Sequence, residues 1–185
     1  MVRGSRKGTS RPAALDVDYL QDLRQVIGRP KLLAQLSGLE WQDAGGSPRG
    51  FKCRLPLVFA GEELQPEGLY VDIYWKPTSV PGGADKLSMG LFYRGRRIVA
   101  IDENGISDHR NDVGVGRPFF GQVVPFPHLH MLCAESVDGY AEPLNRVPLA
   151  DLWTLFLDKA NIVNAPPLAM PTLPPEQPDL PLVSP

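Results

Sequence analysis

From Phe51 onward the apolar residues of this chain fall on every second position, and this period constrains the fold more than any other feature. "FKCRLPLVFA" (51–60) sets Phe51, Cys53, Leu55, Leu57 and Phe59 against Lys52, Arg54 and Pro56. "GLYVDIYWKP" (68–77) puts Leu69, Val71, Ile73 and Trp75 on one side. Such alternation marks strands with one face buried. Pro56 has no N–H to give to a neighbour, which predicts an edge strand or a bulge there. "KLSMGLFYRGRRIVAIDENG" reads as a hairpin with strands near 87–94 and 97–103 around "RGR". "HLHMLCA" and "GYAEPL" read as a second hairpin turning at "ESVDG". Between the two lies a long segment, 104–127, rich in Gly and Pro; a connection of that length inside a compact domain is usually functional or mobile.

Helical spacing appears only at the two ends of the chain. Asp16 has the character of an N-cap, followed by Tyr19, Leu23, Val26 and Ile27. "GRP" at 28–30 stops that helix, and Pro30 suits the first turn of a second one carrying Leu32, Leu33 and Leu36. Pro148 opens a last helix with Leu149, Leu152, Trp153, Phe156 and Ala160 on its apolar side. The expected fold is therefore α+β: a largely antiparallel sheet of about six strands, with N-terminal and C-terminal helices packed on one face and the other face free for a cleft. Residues 14–164 form the single domain. Residues 1–13 read as a flexible basic arm. Residues 165–185, which hold eight of the 20 prolines, read as an extended or disordered tail.

Composition narrows the function classes. The formal net charge is −2, and the arm alone contributes Arg3, Arg6, Lys7 and Arg11 without an acid, so the body is acidic. That balance is wrong for a dedicated duplex-DNA binder. No apolar run approaches the roughly 20 residues of a membrane span, and the basic N-terminus has no apolar stretch behind it. A cytoplasmic protein with no membrane partner is expected. Cys53 and Cys133, the two cysteines, sit in apolar strand-like runs and read as reduced, buried thiols, with a disulfide as the alternative. Two are too few for a Cys-rich zinc site.

The chemistry-bearing residues cluster. All three histidines lie between 109 and 130. On a strand, His128 and His130 point to one side, about 7 Å apart at Cα, and Leu129, Met131 and Cys133 point to the other. Imidazoles so spaced can converge on one divalent transition metal or act as an acid and base pair on a phosphate. They can also be two histidines on a wet sheet face. If the 104–127 segment folds back over the sheet, His109 completes a three-ligand set with an open position, with Asp102, Asp108 and Asn111 nearby. No organic cofactor is expected, because Gly-rich phosphate loops, nucleophile elbows and dinucleotide fingerprints are all missing. "HLHMLCAE" approaches the His-x-His-x4-Glu core of cupins, with Glu135 as the acid, but no histidine follows His130. The histidine-triad hydrolase pattern breaks at Leu132.

The run "LFYRGRRIVAIDENG … DHRN … HLHMLCAESVDGYAEPL … LWTLFLDKANI" resembles a bacterial family of unknown function. Its pattern is Tyr-Arg-Gly, an Asp-x-Asn-Gly turn, His-x-Asn, a His-Leu-His-aromatic strand, a Tyr/Trp-Ala-x-Pro-Leu strand and a closing helix. The similarity covers about residues 88–163. It falls on Tyr93, Arg94, Gly95, Asp102, Asn104, Gly105, His109, Asn111, His128, His130, Tyr140, Ala141, Pro143 and Leu144, with Met131 where an aromatic is expected. Such families often sit beside toxin–antitoxin or mobile-element genes. The resemblance thus implies a role in RNA cleavage or phage conflict, with the histidines and Asp102 acting as one unit.

Two functional expectations follow. In the first, the chain is an enzyme acting on a phosphodiester, RNA above all. His128, His130, His109 and Asp102 carry the chemistry or hold a metal. Asn111 bonds substrate or fixes a histidine tautomer, and Arg94, Arg96, Arg97 or Arg110 holds phosphate. In the second, the chain is a non-catalytic interaction module, an inhibitor or antitoxin-like partner of another protein. It would use the sheet face, the 104–127 loop with Phe119, Phe120 and Phe126, and the Pro-rich tail.

Overall fold

The computed structural model describes residues 14–35, 38–105 and 108–173. Two helices and ten strands follow in the order α1 (Val17–Gly28), β1 (Lys31–Leu33), β2 (Gln42–Gly45), β3 (Gly50–Phe59), β4 (Tyr70–Lys76), β5 (Lys86–Tyr93), β6 (Arg96–Asp102), β7 (His109–Arg110), β8 (Val123–Val124), β9 (His128–Met131), β10 (Tyr140–Pro143) and α2 (Leu149–Ala160). The main sheet runs β1-β3-β4-β5-β6-β9-β10, with β2 also on β3, and β7 and β8 pair separately. Every strand pair is antiparallel. The fold is α+β, as the two periods of the sequence predict.

The alternating apolar residues do what their spacing requires. Leu55, Leu57, Val71, Ile73, Met89, Leu91, Ile101 and Leu129 join one core with Leu23 and Val26 of α1 and Leu152, Trp153 and Phe156 of α2. Both helices thus cover the same face of the sheet. Asp16 caps α1, accepting from the backbone N–H of Tyr19 at 2.9 Å. Cys53 and Cys133 are buried free thiols. Among the described residues no helix is long and apolar enough to cross a membrane.

One expected helix is a strand. Lys31–Leu33 pairs antiparallel with Leu57–Phe59 rather than continuing from Pro30 as a second helix. The open edge of β3 offers this segment backbone partners, and the pairing overrides its modest local helix preference. Leu36 lies outside the described residues. The same strand buries Lys31 completely, and its Nζ donates to the carbonyls of Ile27 (2.9 Å), Arg29 (2.7 Å) and Ala160 (2.8 Å). One side-chain nitrogen so closes the C-terminal ends of both helices, where free carbonyls gather. Pro56 sits where β3 has β4 on one side and, on the other, the gap between β1 and β2. Leu57 turns its N–H toward Leu69, so the missing N–H of Pro56 faces that gap.

Residues 165–173 of the Pro-rich segment have no regular secondary structure and lie on the body. Trp153 Nε1 donates to Pro166 O (2.9 Å), Trp41 Nε1 to Ala169 O (2.8 Å), and Leu168 and Met170 pack on the core. The rest of that segment, 174–185, and the basic arm, 1–13, lie outside the described residues.

Candidate metal centre

The face of the sheet away from the helices carries the polar half of each alternating strand. In one row across four strands stand Tyr74, Ser88, Asp102 and His128; in the next stand Asp72, Gly90, Ala100 and His130. Asp102 is thus flanked by Ser88 on β5 and His128 on β9, with His130 two residues along β9.

Arg97 reaches this group through a bulge. Asp102 lies five positions after Arg97, so simple alternation would put them on opposite faces. The pairing passes from Leu91↔Val99 to Phe92↔Arg97, which leaves Ile98 as an extra residue. The bulge turns Arg97 onto the polar face and Ile98 into the core. Gly90 leaves room for the arginine stem: a Cβ there would come within 3.2 Å of Arg97 Cδ. Arg97 Nη1 then lies 3.2 Å from Asp102 Oδ1, and its Nε lies 3.7 Å from Asp138 Oδ2.

His109 arrives from the segment after residue 107, which lies against β10 and the turn before it. Asn111 holds it there. Fully buried, Asn111 donates from Nδ2 to the carbonyls of Phe119 (3.0 Å) and Ala141 (2.8 Å), and its Oδ1 accepts from Ala141 N–H (2.8 Å). Gly114, at φ +86°, lies so close to Tyr140 that a Cβ would come 2.4 Å from the ring. Arg117 donates to Leu132 O at 2.8 Å. Replacing Asn111 by alanine strands a buried N–H and C=O on β10. The expected loss is about 2–4 kcal/mol of stability by urea denaturation, with faster proteolysis of the 108–124 strap.

The three rings form a compact set. Their centroids are 4.7 Å (His109–His130), 4.8 Å (His128–His130) and 5.5 Å (His109–His128) apart. One nitrogen from each lies within 4.8 Å of the others. His128 and His130 are only 1% and 4% exposed, so they are not residues of a wet sheet face. The tautomers follow from the partners. Nδ1–H of His128 donates to Pro125 O (3.2 Å), and Nδ1–H of His130 donates to Asp138 O (2.8 Å). Nε2–H of His109 donates to Gly139 O and Asn111 Oδ1, both at 3.1 Å. Each ring therefore spends one nitrogen on a protein oxygen acceptor, a backbone carbonyl in every case, and the Nε2 atoms of His128 and His130 face Asp102.

Asp102 stands beside two of these rings. Its Oδ2 lies 3.0 Å from His130 Nε2 and 3.8 Å from His128 Nε2, and Ser88 donates to its Oδ1 at 2.5 Å. Burial alone would raise its pKa. The bonds to His128 and His130, the Arg97 charge and the Ser88 hydroxyl outweigh it and hold the carboxyl well below the usual range. Burial lowers the pKa of His109, and the neighbouring His130 and His128 lower it further against the pull of Gly139 O and Asn111 Oδ1. That ring keeps a free lone pair near neutral pH.

The cluster floors a cleft of about 580 Å³, walled by Phe126, Asn104 and Gly105 and reaching Lys86 and Tyr74 at its far side. Asp102, His109, His128 and His130 come together in it. Asp108 also lines it, and Arg97 does so with its guanidinium already engaged. Asn111 fixes His109 from behind and has no exposed surface for a substrate. Arg94 is directed to Asp22 of α1 (3.9 Å) and Arg110 to Asp112 (3.2 Å); neither lines the cleft, and Arg96 is exposed at the start of β6. Glu135 accepts from Gly114 N–H at 3.2 Å and supports the strap instead of the histidines. Sequence reasoning missed Ser88, Lys86 and Gly90. Their signal was their place on the polar side of "KLSMGLF", the strand that pairs with Asp102's own.

A side-chain set of three carbonyl-anchored imidazoles and one carboxylate defines the class of site, a candidate transition-metal centre. No family model, curated protein or solved structure matches the chain, so the reading below stands on this geometry.

Proposed function

We propose that the chain is a metal-dependent hydrolase of phosphodiesters, with a divalent transition metal held by His109, His128 and His130. The observation that carries the reading is the commitment of the outer ring nitrogens. His130 has Nδ1 on a carbonyl and Nε2 on Asp102, so no nitrogen of that ring is left to exchange a proton with a substrate. A metal-free acid–base pair that uses His130 needs such a nitrogen. Metal-binding imidazoles are instead anchored in this way, with the outer N–H on a carbonyl and the inner lone pair on the ion.

A bound ion in such a site acts as a Lewis acid and lowers the pKa of a coordinated water toward neutrality. The protein supplies a buried floor, the Phe126 wall, which stacks on His128 at 4.5 Å, and the Lys86 ammonium at the far side of the cleft. Lys86 has no carboxylate within 4.0 Å among the described residues, which suits it to an anionic substrate. RNA is the diester we favour, in keeping with the resemblance of residues 88–163. The acidic body argues for weak, transient binding of it.

Metal-loaded protein is expected to hydrolyse bis(p-nitrophenyl) phosphate and a single-stranded RNA oligomer. His130→Ala is expected to lower both rates by about 100-fold or more. Equal rates in the two proteins would remove the hydrolase reading.

A second reading, a protein-interaction module, rests on the strap. Phe120 is 42% exposed there, beside exposed Val115 and Val123 and outside the cleft. On that reading Phe120→Ser abolishes partner binding, whereas His130→Ala leaves it unchanged.

A further inference from the structure

The geometry points to Asp102 as the fourth protein ligand of this ion, bound through Oδ2, with Ser88 on Oδ1 and Arg97 Nη1 shared between Oδ1 (3.2 Å) and Oδ2 (3.3 Å). The inference rests on the metal reading above and deepens it.

The argument turns on which side of the rings the carboxylate occupies. A carboxylate that only orients a metal-binding histidine accepts from the outer nitrogen, the one turned away from the ion. Here the outer nitrogens of His128 and His130 are taken by the carbonyls of Pro125 and Asp138. Asp102 Oδ2 faces the inner nitrogens, at 3.8 and 3.0 Å. It therefore stands beside the inner donor atoms of these two rings.

His130 makes the same point from its spacing. Its Nδ1 lies 2.8 Å from Asp138 O and its Nε2 lies 3.0 Å from Asp102 Oδ2. An ion seated between Nε2 and Oδ2 fits that separation. Two donors bound to one ion at about 2.1 Å and a right angle lie roughly 3 Å apart, the separation found here.

The carboxylate is also built in place before any ion arrives. Asp102 is 18% exposed at its side chain and sits between Ser88 and His128 in the sheet. The bulge at Ile98 delivers Arg97 to Oδ1, so the aspartate cannot swing away without breaking that pair. Three imidazoles and one carboxylate suit a six-coordinate ion such as Mn²⁺, Fe²⁺ or Co²⁺. Such an ion keeps two open positions toward the cleft. The matching substrate presents two oxygens to one ion, as the two non-bridging oxygens of a phosphodiester do, or one of them beside the attacking water.

The test is Co²⁺ binding to the full chain, read by proton NMR of the paramagnetic complex and by titration. Wild-type protein should show three exchangeable, strongly shifted imidazole N–H signals. It should also show one non-exchangeable, strongly shifted pair from the Asp102 methylene. Asp102→Asn should lose that pair and bind Co²⁺ more than 100-fold more weakly, beyond the roughly 10- to 100-fold loss typical of an outer partner. Three N–H signals without the methylene pair would overturn the ligand assignment and leave the three-histidine centre standing. A wild-type protein that takes up no Co²⁺ would overturn both. The wild-type spectrum decides the question even if Asp102→Asn does not fold.

Discussion

Divalent metal at about a thousandfold excess over its Kd should stabilise the protein by about 4 kcal/mol, because the ion binds a cluster that the unfolded chain does not have. For a chain of 185 residues this is a rise in Tm of about 8–16 °C. Chelator should reverse it, and the His128→Ala/His130→Ala double variant should show no metal-dependent shift. The effect is large because the donors are assembled at low flexibility. His128 and His130 are fixed by pairing to β6, and His109 is fixed by Asn111 and Gly139. Binding should also weaken as pH falls, since protons compete with the ion for the imidazole lone pairs. A differential scan with and without Zn²⁺, Mn²⁺ and Co²⁺ measures all of this, and identical curves for wild type and double variant would count against the site.

The second large effect lies far from the cleft. Lys31→Met should destabilise the protein by about 2–4 kcal/mol, because the carbonyls of Ile27, Arg29 and Ala160 lose their shared donor while staying covered. Burial, with the Arg29 charge adding to it, lowers the Lys31 pKa from 10.5 to about 7. The unfolded chain keeps that proton to higher pH than the native one. Stability linked to this group is therefore complete above about 10.5 and is lost as pH falls toward 7. Urea denaturation of the wild type should show stability rising with pH across that window, and Lys31→Met should lack that component.

The sheet was legible because alternation is a local signal. Leu69, Val71, Ile73 and Trp75 needed only their spacing to be placed on the core, and the same rule put His128 and His130 side by side. The second helix failed at Lys31–Leu33 because its conformation depends on an open edge of β3, a partner some 25 residues away in sequence that no local pattern reveals. The site was half legible. Clustering of the histidines marked it, and a strap folding back was the condition for His109 to join, but the buried Asn111 that pins the strap works through backbone groups of residues 119 and 141. Arg97 could not be told from Arg94 and Arg110 by composition. The bulge at Ile98 decides between them, since without it Arg97 and Asp102 would lie on opposite faces. A one-residue irregularity in pairing leaves no trace in the period of a seven-residue strand.

Metal analysis of untagged protein purified without chelator, beside the His128→Ala/His130→Ala variant, tests the central claim most directly. The account predicts about one transition-metal ion per wild-type chain after loading and dialysis, and none retained by the variant, with both proteins folded by circular dichroism. Metal-free wild type after loading, or equal retention by the two proteins, would contradict it.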